Sequence, residues 1–303
     1  MTRQQTQNAQ GTRPVARVVT GASLQEGGGF PVRRPFPSAA LPQVDPFLLL
    51  DQMGPVDWAP GQAIGAPDHP HRGFETVTYL LAGRMRHRDS GGHTADLGPG
   101  DVQWMTAGAG VVHSEMPHPD LLRNGGQVHG FQVWLNLPAA DKMTAPRYQD
   151  LRAERTPTAA TADGLAQVRV IAGESLGSRA AIDTRIPITY LHFTLHPGAS
   201  HEQPLTPGHN AFVYVFSGEA SVGSPPIRVA QGQAAVLGDG DRVSLGLDSD
   251  ATAYAELLLL AGPPLNEPVA RYGPFVMNTQ EQIAQAVRDY QAGRMGRIPG
   301  SQI

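Results

Sequence analysis

His69-Pro70-His71-Arg72-Gly73-Phe74-Glu75-Thr76-Val77-Thr78-Tyr79-Leu80-Leu81 places two histidines at the head of an apolar run. Side chains of an extended chain alternate between faces with period two, so His69, His71, Gly73, Glu75, Val77, Tyr79 and Leu81 share one face. Both imidazoles then point the same way. Further along, Thr106-Ala107-Gly108-Ala109-Gly110 bends the backbone before Val111-Val112-His113-Ser114-Glu115, where His113 and Glu115 again share a face. Burying a pair of imidazoles costs free energy unless both are satisfied, and one metal ion satisfies both. His69, His71 and His113 are therefore the candidate nitrogen ligands. Glu75 and Glu115 both have a facing that suits an oxygen ligand, and alternation does not choose between them.

Working outward, the chain is punctuated by 35 glycines and 27 prolines among 303 residues, which favours short strands joined by turns over long helices. The length is more than one typical domain needs. Val15 to Val19, Pro46 to Asp51, Met85 to His87, Val102 to Met105 and Val128 to Leu137 read as strands of a first block. Pro138 ends it, and an Ala/Thr/Pro-rich stretch follows. A second block runs from Val168 to Ala261. From Gly198, GASHEQPLTPGHNAFVYVFSG repeats the order of the first block: glycine turn, histidine-bearing approach, aromatic strand, Ser-Gly. This suggests an internal duplication. The second copy lacks the paired histidines, so one metal site is expected. In the tail, Thr279 and Gln282 have capping-box spacing, and Ile283, Ala286, Val287 and Tyr290 form an amphipathic helical stripe that has to dock on an outer face.

The expected fold is thus all-β, with two antiparallel β-barrel domains and a C-terminal helix. The expected boundaries are 1–138 for a metal-binding barrel, 139–164 for a linker, 165–270 for a barrel without metal, and 271–303 for the tail.

A net charge of −4 and a pI near 6.2 leave no basic footprint for nucleic acid or acidic membranes. With no cysteine, disulfides, thiolate ligands and cysteine nucleophiles are excluded. The opening MTRQQTQNAQGTR has no apolar core of the signal-peptide kind, and no apolar run is long enough to span a membrane; a cytoplasmic protein is expected. Nitrogen and oxygen ligands without sulfur suit iron, manganese, copper, nickel or zinc.

HPHRGFETVTYLL from His69 and WMTAGAGVVHSEMPH from Trp104 resemble the signature of the pirin family within the cupin superfamily. VRRPFPSAALPQVDPFLLLDQMGP, HGFQVWLNLP, PGHNAFVYVFSG and GPFVMNTQEQIAQAVRDYQAGRMG resemble further pirin segments in the same order. The resemblance implies a bicupin with Fe(II) in the N-terminal barrel, held by His69, His71, His113 and Glu115. It thereby prefers Glu115 to Glu75, which becomes a partner orienting a ligand imidazole. It also implies, for some members, a quercetin 2,3-dioxygenase activity on a flavonol-like aromatic substrate, with Glu115 as the catalytic base. Other members imply an iron-dependent regulatory protein whose partner is a transcription factor or a metabolic enzyme complex. Phe47, Met53, Phe74, Trp104 and Met105 are candidate mouth residues with barrel core as their ordinary role. His118 and His129 are candidate pocket-edge residues, and His87 and His93 are read as structural or surface residues.

Overall fold

The computed structural model describes residues 11–300; residues 1–10, part of the polar start, lie outside them. Alternation and turn density produce strands almost throughout, and the chain divides into two units. Of the described residues, one unit comprises 22–155 and 265–300, and the other 11–21 and 156–264.

In the first unit a seven-stranded sheet has the spatial order Arg147–Leu151, Val102–Thr106, Phe74–Ala82, Gly126–Asn136, Phe47–Trp58, Phe30–Phe36, Ala22–Glu26. A four-stranded sheet has the order Ala66–His71, Val111–Pro117, Met85–Asp89, Thr94–Leu97. Val32, Met53 and Leu80 of the larger sheet pack with Ala95 and Leu97 of the smaller, so apolar core lies between them.

The second unit repeats this plan strand for strand. Its seven-stranded sheet runs Val15–Thr20, Gln233–Leu237, Asn210–Ser217, Ala255–Gly262, Thr189–Leu195, Ala166–Ala172, Thr158–Ala160, and its four-stranded sheet Ser200–Pro204, Arg242–Gly246, Glu219–Val222, Ile227–Ala230. The expected duplication therefore appears as topology. Its core draws on both sheets, with Val170, Phe193, Val213, Leu257, Val222 and Leu245 completely buried. Each such side chain contributes roughly 1.5–3 kcal/mol by leaving water.

Two expectations need correcting. The units are not linear blocks: the Val15–Thr20 strand pairs with Gln233–Leu237 of the second unit, and the stretch read as a linker supplies Arg147–Leu151 to one sheet and Thr158–Ala160 to the other. Such pairings join residues far apart in sequence, which local composition does not reveal. The expected antiparallel, jelly-roll-like plan is present, each unit being built, among the described residues, of two facing sheets. In the tail, the Gln280–Gln291 helix has the expected capping box on Thr279 and Gln282, yet Asp289 is buried and Tyr290 is 40% exposed. Ile283 and Ala286 dock against Val112, Phe275 and Met277. Arg72 draws Asp289 inward, donating from Nη1 to its Oδ2 at 2.7 Å. Among the described residues no helix is long and apolar enough to cross a membrane.

Candidate metal centre

The antiparallel pairing of Ala66–His71 with Val111–Pro117 sets His113 directly opposite His69 and Val111 opposite His71. Facing residues of such a pair have side chains in contact, and the diagonal neighbour is also within reach of a ring. The three imidazoles accordingly meet: their candidate ligand nitrogens lie within 4.8 Å of one another. Ring centroids are 4.3 Å apart for His69 and His113 and 4.8 Å for His71 and His113.

Hydrogen bonding fixes which nitrogens are offered. His69 Nδ1 is 2.7 Å from the Pro67 carbonyl oxygen and His71 Nδ1 is 3.4 Å from that of Pro274. A carbonyl oxygen only accepts, so each Nδ1 carries a proton and each ring turns Nε2 towards the other. Those two Nε2 atoms face each other at 3.1 Å. Two lone pairs at that distance repel unless a cation lies between them. His113 Nε2 is buried without a hydrogen-bond partner. Burial, reinforced by the neighbouring imidazoles, holds His71 and His113 well below the usual histidine range, so both are neutral and free to ligate near pH 7. The three donors fit a divalent transition metal.

Behind His113, His87 Nδ1 stands 3.5 Å from His113 Nδ1, and His87 Nε2 stands 3.6 Å from Asp89 Oδ2. Burial works to raise the Asp89 carboxyl, but bonds from His87, Tyr148 and the backbone of His93 and Gly91 outweigh it and lower it. His87 and Asp89 thus stand in line behind the Nδ1 side of the His113 ring, leaving its unpartnered Nε2 for the metal position. Sequence reading missed this pair. Arg86-His87-Arg88-Asp89 carries the same alternate-residue signal as the two ligand pairs.

Glu115 lines the same cavity, but its carboxylate lies outside the imidazole group. Thr78 Oγ1 is 2.9 Å from Glu115 Oε1, and Gln132 Nε2 donates to Oε2 at 3.1 Å. Glu75 is elsewhere. Gly73 has φ +88°, and the chain turns there from the four-stranded sheet into the seven-stranded one, so alternation does not carry across it. The even residues Thr78 and Leu80 face the cavity, as do Gln132 opposite Thr78 and Trp134 opposite Thr76; Glu75 points to the other face and accepts from Thr106 Oγ1.

The cavity has a volume of about 710 Å³, within the range of small-molecule sites. Of the mouth candidates, Met53 lines it and Phe74 packs its ring edge-on to His71 at 5.0 Å. Phe47, Trp104 and Met105 are buried and do not line it. His118 instead caps the Pro119–Asn124 helix by accepting from Asp120 N, and His129 Nε2 is 3.1 Å from Gln52 Nε2; neither lines the cavity.

The pirin family model matches residues 29–135, and the model of the pirin C-terminal cupin domain matches residues 190–296. A pirin-like protein of Solanum lycopersicum is 45% identical over 285 residues, covering 94% of this chain and 93% of its own length. The pirin of Homo sapiens is 42% identical over 288 residues, covering 94% of both chains. A crystal structure of a quercetin 2,3-dioxygenase from Acinetobacter baumannii superposes with a TM-score of 0.88 at 37% identity, over 95% of this chain and 100% of that one. Two cupin-type units of one topology, with three imidazoles gathered in the first and both halves matched by their own models, have one explanation: the chain belongs to the pirin family of the cupin superfamily.

Proposed function

We propose that the protein is an Fe(II)-dependent dioxygenase of the quercetin 2,3-dioxygenase type, acting on flavonol-like enols in the cytoplasm. The observation that carries this reading is the convergence of three imidazoles, two of which, His69 and His71, stand on the wall of a cavity of about 710 Å³ that Glu115 also lines. His69, His71 and His113 would hold the metal, with Glu115 as its oxygen ligand; other divalent transition metals suit the same donors. The bound ion supplies Lewis acidity towards an enolic hydroxyl and one-electron chemistry with dioxygen. Glu115 takes the proton from that hydroxyl as general base. Gln132 and Thr78 aim its carboxylate, and Phe74 and Trp134 pack the edges of His71 at 5.0 and 5.2 Å, which fixes that ring. Apolar Leu80, Met53 and Val128 on the cavity wall keep water from the reacting carbon. The overall reaction takes up one dioxygen and expels one ring carbon as carbon monoxide.

Protein purified without oxygen should carry close to one iron per chain, consume dioxygen with quercetin and release carbon monoxide. His113→Ala should lose the metal. Glu115→Gln should keep much of the metal and lose turnover, whereas Glu75→Gln, altered on the other face of the sheet, should turn over normally. Stoichiometric metal in His113→Ala, or full activity in Glu115→Gln, refutes the assignment.

One feature favours a second reading, an iron-dependent regulatory protein for a transcription factor or metabolic enzyme complex. Arg72, next in sequence to His71, pairs with Asp289 of the tail helix, which joins the metal-binding strand to an outer surface. Iron-dependent capture of a single partner, with no carbon monoxide from quercetin, would select it.

A further inference from the structure

Away from the imidazoles, the cavity wall carries charge that the proposed chemistry does not use: Glu26, Arg34, Asp51 and Arg271. Glu26, Asp51 and Arg34 are in direct contact and together carry one negative charge, which Arg271 balances at longer range. Arg34 holds both oxygens of Asp51, at 2.6 Å from Nε and 2.6 Å from Nη2, and its Nη2 is 2.7 Å from Glu26. That fork is occupied by the two carboxylates. Arg271 has no ion-pair partner among the described residues. Its Cζ lies 4.8 Å over the Trp134 ring, and its one carbonyl contact, Nη1 to Leu48 O, is long at 3.5 Å. Burial, with the Arg34 charge as the next cause, pushes the Arg271 guanidinium below the usual arginine range, although it stays cationic. A planar fork of donors is thus held against an aromatic ring in a partly desolvated cavity with Asp51 and Glu26 acting on it only at a distance and, among the described residues, no carboxylate in ion-pair contact. Guanidinium groups so placed bind carboxylates in two-bond fashion.

We infer that Arg271 is an anion subsite of this cavity, which therefore also takes hydroxylated aromatic acids, the carboxylate docked on Arg271 and the hydroxyl directed to the imidazoles. Trp134 links the two ends: its ring centroid lies 4.8 Å from the Arg271 guanidinium carbon and 5.2 Å from the His71 centroid, which places the guanidinium near the imidazoles on the same cavity wall. The orientation of the hydroxyl rests on the proposed metal site; the carboxylate contact does not.

The test is the affinity of the iron-loaded protein, by calorimetry under nitrogen, for 3,4-dihydroxybenzoate and its methyl ester, which differ in the carboxylate charge. The acid should bind the wild type at least roughly tenfold more tightly than the ester, the scale of a charge-assisted hydrogen-bonded pair. In Arg271→Gln the two should bind alike, and Arg271→Lys should restore part of the difference. In His113→Ala both probes should weaken while their ratio persists. Equal affinities in the wild type, no measurable binding of the acid, or an undiminished ratio in Arg271→Gln overturns the subsite. A ratio lost in His113→Ala, with Arg271 intact, assigns the selectivity to the metal and overturns it as well. If His113→Ala leaves both affinities unchanged, the metal reading fails while the anion subsite stands.

Discussion

Gly73 is the point at which the ligand strand becomes the next sheet, and its replacement by alanine can be worked through. A Cβ at Gly73 would lie 2.0 Å from the Val276 carbonyl oxygen and 2.8 Å from Met277 Sδ, on a backbone with φ +88°. Two costs combine. A left-handed conformation costs a residue with a Cβ about 1–2 kcal/mol. Forcing a methyl group onto a backbone oxygen adds about 1–3 kcal/mol, because the peptide of Val276 has to move rather than a side chain rotate. That peptide is itself held, since Lys142 Nζ donates to both Gly73 O at 2.8 Å and Val276 O at 3.2 Å.

Gly92 supplies the control, with φ +86° and nothing within 4 Å of its would-be Cβ. Gly92→Ala therefore carries the conformational cost alone, and the gain from a stiffer unfolded chain is common to both variants and cancels. Gly92→Ala should cost about 1–2 kcal/mol and Gly73→Ala about 2–5 kcal/mol. The assay is urea unfolding followed by tryptophan fluorescence, because all three tryptophans, Trp58, Trp104 and Trp134, lie in the unit that carries the site. Gly73→Ala should also weaken iron binding, as His71 moves with the displaced backbone. If it costs no more than Gly92→Ala, the close approach of Gly73 to Val276 does not support the turn, and the reasoning is refuted.

Two further outcomes follow from the buried polar groups. His87→Phe keeps a ring of similar shape but removes the nitrogen facing His113, and should weaken iron affinity by roughly 10–100-fold in a chelator competition; wild-type affinity would show that Asp89 and His87 do not orient the ligand. Arg72 lowers the Asp289 carboxyl most, against the opposing effect of desolvation, with help from Arg294 and Gln285. Because the folded value lies below that of the unfolded chain, near about 3.9, this pair's stabilisation is complete above about pH 4 and is lost as pH falls below it. Asp289→Asn should lower stability at pH 7 by about 1–3 kcal/mol, less than a fully buried pair because the Asp289 side chain keeps 13% exposure. It should also speed amide exchange in Gln280–Gln291. Exchange rates there that match the wild type at pH 7 would count against the clamp.

What could be read in the sequence, and what could not, divides at the range of the physics involved. Alternation placed His69 with His71, and His113 with Glu115, because each pair lies within one uninterrupted strand. It failed for Glu75 because Gly73 lies between, and a glycine after a ligand pair is itself the sign that parity stops there. Applied to Arg86-His87-Arg88-Asp89 and to Gln132-Val133-Trp134, the same rule would have found the partner of His113 and two residues of the cavity wall. Knowing which face is the useful one, however, requires the register between strands. The illegible features are those made by distant pairing: the Val15–Thr20 strand in the second unit, Arg72 with Asp289 at a separation of 217 residues, and Arg271 brought over Trp134. Nothing local marks these residues, since an arginine in a short polar stretch reads as surface until the tail folds back. Repetition is legible because the turns that direct the chain are local, whereas ligands need two strands to agree in register. In the second unit the pairing of Ser200–Pro204 with Arg242–Gly246 has kept the strands of the metal site, yet the facing residues there include Leu245 against His201 and Ser244 against Glu202. The second unit therefore keeps the path of the paired strands while the histidine pair that faces across them in the first unit is replaced.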